Sequence, residues 1–410
     1  MGATQSINDT NSGNREGPSV YMDANATTPL LPEVFNAMMP WFFSRCGNAS
    51  SSHSRGQDAR AAIETARQQV ADLIGASRSE VIFTSGGTEA DNLAIFGTIT
   101  EPGAHIITSS IEHHAVLHAI QQLEMRGCAA TYLPVSENGV VRTDDLRRAL
   151  RPNTRLISIM MANNETGVLQ PVEEIGQIAR DRGVLFHTDA VQAAGKVPID
   201  VKRIGCDLLS ISGHKIHGPQ GTGALFVQHG VALRPMIHGG AHESGLRAGT
   251  ENIPGIVGFG QAAVLAASGF RDGTVAKMKS LRDELERSLM LAADDAGLNG
   301  SGGKRVPNTA NLRFGGVEGS RLIAMLDEMG LAVSGGSACT ATSCVPSHVL
   351  LAMGLTPQQA VSSIRFSISK RTTAEHVDFA IWRVLEALEK LRAKSKAHRK
   401  RRNLPVPQSV

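Results

Sequence analysis

The sequence predicts an α/β fold built around a mainly parallel β-sheet, and two observations lead to this prediction. From about residue 20, short apolar runs typical of buried strands alternate with segments of helical spacing. The chain has 410 residues, which is enough for two or three domains. Strands that alternate with helices form parallel sheets covered by helices on both faces. Ligands bind at the carboxyl ends of such strands, so polar residues directly after them are candidates for chemistry.

The first elements are predicted in the order helix, strand, turn and helix. The spacing of Ile63, Ala66 and Val70 predicts a helix that ends at Gly75. Val81–Thr84 predicts a buried strand, which a glycine turn connects to a new helix. Six further strands are predicted at His105–Thr108, Thr131–Val135, Leu156–Met160, Val184–Thr188, Asp207–Ile211 and Ala224–Val227.

The remaining third of the chain predicts a second region of mixed helices and strands. The stretch from Gly239 to Gly260 is rich in glycine and is predicted to be irregular. The elements predicted after it are a helix at Val275–Ala296, strands at Thr309–Phe314 and Ile364–Ser369, and a helix at Glu375–Leu391. We therefore divide the chain into a disordered tail (1–18), a large domain (19–264), a small domain (265–392) with a loop at about 334–346, and a basic flexible tail (393–410).

Composition and charge exclude several classes of function. Hydrophobic residues make up 41% of the chain and charged residues 19%, which is typical of a globular protein. No run reaches the ~18 apolar residues of a membrane helix, and the polar N-terminus has no signal-peptide core. The net charge is +3, but eight Lys and Arg residues follow Glu389 without an acid. The rest of the chain is therefore acidic, which argues against nucleic acid as the main ligand.

The cysteines follow neither a disulfide pattern nor a metal-binding pattern. The five of them are scattered, and no CxxC pair occurs: Cys46, Cys128, Cys206, Cys339 and Cys344. An odd, scattered set without a signal peptide does not indicate a disulfide framework, and we predict no metal site. These features favour a cytoplasmic location, where thiols stay reduced.

Three predicted strand ends carry groups that can bind a ligand or take part in catalysis. The turn Ser85-Gly86-Gly87-Thr88 opens a helix and is either a phosphate site or an ordinary strand-to-helix turn. Asp189 is either a helix N-cap or the counter-charge of a cationic ring nitrogen. Lys215 follows a buried strand within a compact turn, and a partly desolvated lysine there can form a Schiff base. Together the three groups are the parts of a site for pyridoxal 5′-phosphate (PLP).

Seven segments match the motifs of one enzyme family. They are Tyr21-Met22-Asp23-Ala24-Asn25-Ala26-Thr27-Thr28-Pro29, Thr84-Ser85-Gly86-Gly87-Thr88-Glu89-Ala90-Asp91-Asn92, Glu112-His113, Asn163-Asn164-Glu165-Thr166-Gly167, His187-Thr188-Asp189-Ala190-Val191-Gln192, Ser212-Gly213-His214-Lys215 and Ser334-Gly335-Gly336-Ser337-Ala338-Cys339. Over residues 20 to 392 the chain resembles the NifS/IscS-type cysteine desulfurases, which are PLP enzymes of the class V aminotransferase group. The resemblance implies the PLP-dependent transferase fold type I: a large domain with a mainly parallel seven-stranded sheet and a smaller α+β domain.

The resemblance also implies a role for each matching residue. Lys215 would form the imine with PLP, Asp189 would pair with the pyridinium nitrogen, and His113 would stack on the ring and exchange protons. Arg365, with Asn164 beside it, would bind the substrate carboxylate. The remaining contacts with PLP would come from Gly87, Thr88, Asn164, Gln192, Ser212, His214 and Thr250. Of these, Thr250 would reach the phosphate of the neighbouring subunit, which implies a homodimer.

The residues taken by themselves leave alternatives open. His113 has the alternative of a capping or hydrogen-bonded core histidine, and Arg365 that of a surface residue at a strand edge. Cys339 lies in a run of small residues without apolar periodicity, which favours an accessible nucleophile over a buried thiol. Cys344, five residues later, is incidental, a sulfur relay or a disulfide partner of Cys339.

The implied function is that of a cysteine desulfurase. PLP-dependent removal of sulfur from L-cysteine would give L-alanine and a persulfide on Cys339. The persulfide would pass to an acceptor protein, a scaffold or sulfurtransferase, for iron–sulfur cluster assembly or another thio-product. A selenocysteine lyase differs only in its preferred substrate, and a class V aminotransferase acting on a small amino acid would not need Cys339. A non-catalytic assembly protein would have no use for Lys215, Asp189 and Cys339 together.

Overall fold

The computed structural model describes residues 19–335 and 345–402. The strands are β1 (Val20–Tyr21), β2 (Val81–Thr84), β3 (His105–Ser109), β4 (Ala129–Leu133), β5 (Thr154–Ser158), β6 (Leu185–Asp189), β7 (Leu208–Ser212), β8 (Gly223–Val227), β9 (Ala296–Leu298), β10 (Thr309–Phe314), β11 (Leu331–Ala332) and β12 (Ser363–Ser367). The helices are α1 (Pro32–Met38), α2 (Pro40–Phe43), α3 (Ser54–Ile74), α4 (Gly87–Thr98), α5 (His114–Met125), α6 (Thr143–Ala149), α7 (Val172–Arg182), α8 (Val201–Ile204), α9 (Ile253–Ser268), α10 (Thr274–Ala292), α11 (Gly319–Glu328), α12 (His348–Ala352), α13 (Pro357–Val361) and α14 (Ala374–Arg402). The predicted tail 1–18, the last eight residues, and the loop residues Cys339 and Cys344 lie outside the described ranges.

A seven-stranded sheet forms the centre of the larger part of the molecule. Its strand order is β2-β8-β7-β6-β5-β3-β4. The five strands from β7 to β4 run parallel, whereas β8 is antiparallel to both of its neighbours. The mainly parallel seven-stranded sheet is thus confirmed. Strands β2, β3, β7 and β8 are buried along their whole length, which explains why their sequences are continuous apolar runs.

Helix α3 packs against the sheet and ends where the sequence predicts. Its buried side includes Ile63, Ala66 and Val70, and Gly75 takes the left-handed conformation at its end with φ 72°. This conformation strongly favours glycine, so the position explains both the residue and the end of the helix.

A second apolar core lies in the C-terminal part of the chain. There β9, β10 and β12 form an antiparallel sheet, and β1 pairs in parallel with β11. Buried side chains of α10, α11 and α14 cover these strands, among them Leu285, Leu326 and Val384. Val20 of β1 also belongs to this core, so the N-terminal strand packs with the C-terminal part. The division into domains stays a prediction, and α9 runs through its boundary at residues 264 and 265.

The predicted irregular stretch up to Gly260 is wrong in its last part, because helix α9 begins at Ile253. The glycines of this last part are contact points between helices. A Cβ on Gly258 would lie 2.5 Å from the sulfur of Met38, and one on Gly260 would lie 2.7 Å from Cα of Ala66. Glycine therefore allows α9 to approach α1 and α3 closely. The helix predicted at 275–296 also ends early, at Ala292, before strand β9.

Candidate active site

A cavity of about 320 Å³ opens at the carboxyl ends of β5, β6 and β7. Ten of the twelve site residues named from the sequence line it: Gly87, Thr88, His113, Asn164, Asp189, Gln192, Ser212, His214, Lys215 and Arg365. They come from six separated parts of the chain, which the sheet and its loops bring to one place. Cys339 lies outside the described residues, and Thr250 is exposed and away from this cavity.

Asp189 ends strand β6 and points into the cavity. It is 7% exposed, and its Oδ1 accepts a hydrogen bond of 2.9 Å from the amide of Val191. Burial raises the pKa of Asp189 to about 6, although the amide of Val191 and the charge of Lys215 work in the opposite direction. The group is therefore an anion at neutral pH, which a cationic ring nitrogen in the cavity would stabilise further.

The start of helix α4 forms part of the cavity wall. The helix begins at Gly87, and the amide groups of its first turn have no partner within the helix. A Cβ on Gly87 would lie 2.7 Å from Cγ2 of Val191, so glycine keeps this approach open. A Cβ on Gly87 would also lie 3.7 Å from Cβ of the neighbouring Ser212, whose Oγ is buried without a hydrogen-bond partner among the described residues. These donors suit a phosphate group.

Lys215 lies in the turn that follows β7, with its amine in the cavity wall. Its Nζ donates hydrogen bonds to the carbonyl oxygens of Asn25 at 2.5 Å and Ala26 at 2.7 Å. Nε2 of Gln192 donates to the same oxygen of Asn25 at 2.9 Å. The segment around Asn25 therefore holds two predicted cofactor contacts in place. Sequence analysis gave Asn25 no role, although the residue stands in one of the matched motifs.

The side chain of Asn25 also connects the cavity with strand β10 in the C-terminal part of the chain. Its Nδ2 donates to Oγ1 of Thr309 at 2.8 Å and to the carbonyl of Asn164 at 3.1 Å. A second lysine, Lys196, donates to Oε1 of Gln192 at 2.6 Å. Burial lowers the pKa of Lys196 well below its usual value, and the charges of nearby cations add to the effect. Sequence analysis did not predict that Lys196 lies beside the site. Its position four residues after Gln192 was the signal that the two side chains are neighbours.

His113 is at once a capping histidine and a cavity residue. Its Nδ1 accepts a 3.2 Å hydrogen bond from the amide of Ala115 at the start of α5. Burial, with smaller effects from Lys215 and neighbouring histidines, lowers the pKa of His113 to about 4. The ring is thus neutral at neutral pH. Because Nδ1 accepts, the proton of the ring resides on Nε2, where it can be donated to a ligand.

Arg365 is 2% exposed, so the alternative of a surface residue is wrong. Its Nη2 donates to Asp23 at 2.7 Å, and its Nη1 donates to the carbonyl of Asn164 at 3.0 Å. In the described part of the chain, Nε of Arg365 and Oδ1 of Asn164 are buried without a partner. A guanidinium with an unused donor beside an unused amide oxygen is suited to an amino acid, whose carboxylate and amine supply the missing partners.

The residues present fit PLP. The lining of the cavity includes the start of α4, the carboxyl of Asp189 and the amine of Lys215. Five buried polar atoms of this lining lack partners among the described residues, and three of them suit hydrogen bonds to PLP or its substrate: those of Ser212, Asn164 and Arg365. The other two belong to Asp91 and Glu165. No helix in the described ranges is long and apolar enough to cross a membrane.

Comparisons with known proteins agree with this geometry. Residues 20–379 match the family model of the class-V aminotransferases. The cysteine desulfurase IscS of Methanosarcina thermophila is 48% identical over 380 residues, which cover 92% of this chain and 94% of the relative. That of Dictyoglomus turgidum is 46% identical, with 91% and 95% covered.

Solved structures give the same assignment. A NifS-like protein has a TM-score of 0.85 and 38% identity, with 91% of this chain and 100% of the other covered. The structure of SspA in complex with cysteine has a TM-score of 0.76 and 37% identity, with 87% and 100% covered. The predicted resemblance and fold type are confirmed. From the fold, the cavity and these near-complete matches, the chain belongs to the class-V aminotransferase family and, within it, to the cysteine desulfurases.

Proposed function

We propose that this protein is a PLP-dependent cysteine desulfurase, which converts L-cysteine to L-alanine and carries the released sulfur on Cys339. The observation that carries the proposal is the convergence of Lys215, Asp189 and Arg365 on one cavity. The first two suit a cofactor with a pyridine ring and an aldehyde, and the third suits a substrate carboxylate. The near-complete relatives named cysteine desulfurase support the same activity.

PLP would lie with its phosphate at the start of α4 and its ring between His113 and the floor of the cavity. Gly87, Thr88, Ser212 and His214 would hold the phosphate, and Asp189 would pair with the ring nitrogen. When bound, PLP supplies an electron sink for the electron pair that remains when the substrate loses its Cα proton.

The side chains of this chain bind, orient and move protons. Arg365 fixes the substrate carboxylate, and Asn164 supplies an acceptor beside it. The amine of Lys215 takes the proton from Cα and later returns a proton to the carbon skeleton. The Nε2 proton of His113 is available as a hydrogen-bond donor to groups above the ring. The backbone carbonyls of Asn25 and Ala26 hold the Lys215 amine whenever it is a free ammonium group.

Sulfur transfer requires a thiolate on the chain itself, and Cys339 is the proposed nucleophile. Its sulfur attacks the sulfur of the substrate, and an S–S bond forms as the bond between Cβ and sulfur breaks. The electron pair of the broken bond stays with the carbon skeleton, which takes up protons and leaves as L-alanine. The persulfide then passes to an acceptor protein, a scaffold or sulfurtransferase, in the cytoplasm.

We further propose that the active unit is a homodimer. Thr250 is exposed in the single chain and lies away from the cavity, so a role at a phosphate requires a second copy. Exposed Phe42 and Phe43 on α2, at 58% and 84%, are apolar side chains that a second copy would cover. Sedimentation analysis at micromolar protein should give the mass of a dimer, and a monomer would contradict this part of the proposal.

The activity is tested with one reaction and two measurements. PLP-loaded protein is mixed with L-cysteine under reducing conditions, alanine is quantified, and the peptide containing Cys339 is weighed for one extra sulfur. Both products should disappear in Cys339→Ser and persist in Cys46→Ser, which removes an exposed thiol. Alanine formed equally well by Cys339→Ser would contradict the desulfurase and favour a lyase or aminotransferase.

A further inference from the structure

Asp91 is a buried acid of the cavity for which the proposed reaction has no use. It lies on α4, three residues after Thr88 and four after Gly87, so it faces the same side as the proposed phosphate donors. The residue lines the cavity and is 1% exposed. Its Oδ1 has no hydrogen-bond partner among the described residues. Burying such a carboxyl has a high cost unless it is paired or neutral.

The neighbours of Asp91 form a continuous polar chain beneath the cavity. The carboxyl of Asp91 faces the hydroxyl of Ser210 on β7, and Oγ of Ser210 lies 3.0 Å from Nε2 of His187 on β6. Nδ1 of His187 lies 2.8 Å from Oγ of Ser158 on β5. His187 precedes Asp189 by two residues, so both side chains lie on the same face of the sheet. The chain therefore connects α4 with the strand that carries Asp189.

The distances indicate which state Asp91 adopts. Oδ1 of Asp91 lies 3.5 Å from Nε2 of His187, which is longer than an N–H···O hydrogen bond. An ionised carboxylate would draw a ring N–H to about 2.7–2.9 Å. Burial raises the pKa of Asp91 most, and the charges that face it, those of Asp189 on β6 and Glu112 after β3, raise it further, whereas the hydroxyl of Ser210 works in the opposite direction. Lys215, by contrast, stabilises the charge of Asp189.

We propose that Asp91 is a positioning residue for Asp189: it holds a proton, donates it in a hydrogen bond to Ser210, and leaves Asp189 as the anion that meets the ring nitrogen. Ser210 then donates to Nε2 of His187, and Nδ1–H of His187 donates to Ser158. Every hydroxyl and ring nitrogen in this chain has a partner. An ionised Asp91 would reverse all three hydrogen bonds and place a second anion beside Asp189.

This inference rests on the proposed PLP site, but its first test does not depend on turnover. The infrared spectrum of the PLP-loaded protein should contain the carbonyl band of a protonated carboxylic acid that is lost in Asp91→Asn. Glu112→Gln is the matched control, because Glu112 is also buried and its pKa is raised to about 8. The control should remove a different band. A spectrum of Asp91→Asn in which no acid band is lost would overturn the inference.

The second test follows the absorbance of the bound cofactor as the pH is changed. Asn is neutral and can donate to Ser210, so Asp91→Asn should leave the titration midpoint of the imine within about 0.3 pH units. If Asp91 were ionised, removing its charge would lower the midpoint by about 1 to 3 units, which would refute the inference. Asp91→Ala removes the hydrogen bond and should weaken PLP binding about tenfold, the equivalent of ~1.4 kcal/mol. Unchanged PLP affinity in Asp91→Ala would exclude a positioning role.

Failure of this inference is distinguishable from failure of the proposed function. Wild-type protein that binds no PLP, or makes no alanine, would contradict the function. If the wild-type protein is yellow and active but Asp91→Asn lowers the titration midpoint as the loss of an anion would, only the role of Asp91 is contradicted. Should Asp91→Ala not fold, the infrared band and the midpoint of Asp91→Asn still decide the question.

Discussion

Replacing Arg365 with Lys tests how the cavity recognises a carboxylate. The wild-type guanidinium uses one donor on Asp23 and one on the carbonyl of Asn164, which leaves Nε and the remaining N–H groups for a ligand. A lysine keeps the positive charge, but its three N–H donors sit on one atom and cannot form a planar fork. The two protein contacts and the substrate would then compete for the same ammonium group.

The magnitude follows from the contacts that are lost. One hydrogen bond to a charged group contributes about 1.5–3 kcal/mol. Losing one such bond therefore raises KM for L-cysteine by about 10- to 100-fold. The carboxylate keeps its charge throughout the reaction, so its contact with Arg365 is the same before and during the reaction. Such uniform binding alters KM while kcat stays within about threefold.

The assay measures alanine formation over a range of L-cysteine concentrations for wild type and Arg365→Lys. Cysteamine, which lacks the carboxylate, serves as the control ligand and should inhibit both proteins with equal affinity. PLP absorbance establishes that the cofactor site is intact. Arg365→Lys with an unchanged KM, or with equally weakened cysteamine binding, would refute the assignment of Arg365 to the carboxylate.

Three further substitutions test the surroundings of the cofactor. Asp189→Asn removes the anion beside the ring nitrogen, so kcat should fall by about 100-fold while PLP stays bound, as measured by absorbance and alanine yield. Burial raises the pKa of Glu112 from 4.5 to about 8, so folding takes up a proton and stability falls as the pH rises through this window. Denaturant unfolding at pH values near both ends of this range should show that the free energy of unfolding of Glu112→Gln changes less with pH than that of wild type. Asn25→Ala removes the donor to Oγ1 of Thr309 and one of the two donors to the carbonyl of Asn164, and it should lower the free energy of unfolding by about 1–3 kcal/mol.

The strands were predictable because a strand buried on both faces appears in the sequence as a short run of apolar residues. Leu208–Ser212 and Gly223–Val227 are buried at every position and appear as short apolar runs. The sequence does not show in which direction such a strand runs. A run buried on both faces has the same composition whether its neighbour is parallel or antiparallel, so the reversed direction of β8 required the structure.

Helix α9 shows why glycine content misleads. In isolation, Gly255, Gly258 and Gly260 each cost helix stability relative to alanine. In the folded chain, the side chains of Met38 and Gln69 and the backbone of Ala66 occupy the space that a Cβ would need. The gain in packing lies on other helices, far away in the sequence, so a local pattern cannot reveal it.

The same distinction applies to the site. Asp189 and Lys215 follow predicted strands, and their position at the carboxyl edge could be inferred from the sequence alone. His113 and Arg365 needed the family resemblance, because each had an ordinary local explanation. Asn25 contacts Lys215 and Gln192 through its backbone carbonyl oxygen, a group that every residue has, so its side chain gives no indication that Lys215 binds there.

The charge of the cavity depends on burial more than on the count of ionisable residues. Its lining contains the acids Asp91, Glu165 and Asp189. Glu112 accepts a hydrogen bond from the amide of the lining residue Met160, and the amine of Lys196 donates to Gln192. Burial raises the pKa of each acid and lowers that of the amine, so groups that are not neutralised by an opposite charge move toward their neutral forms. Asp189 keeps its charge because Lys215 faces it and a ring nitrogen would complete its pairing. A buried cavity can therefore contain several ionisable groups while presenting charge only where the cofactor and the substrate provide the opposite charge.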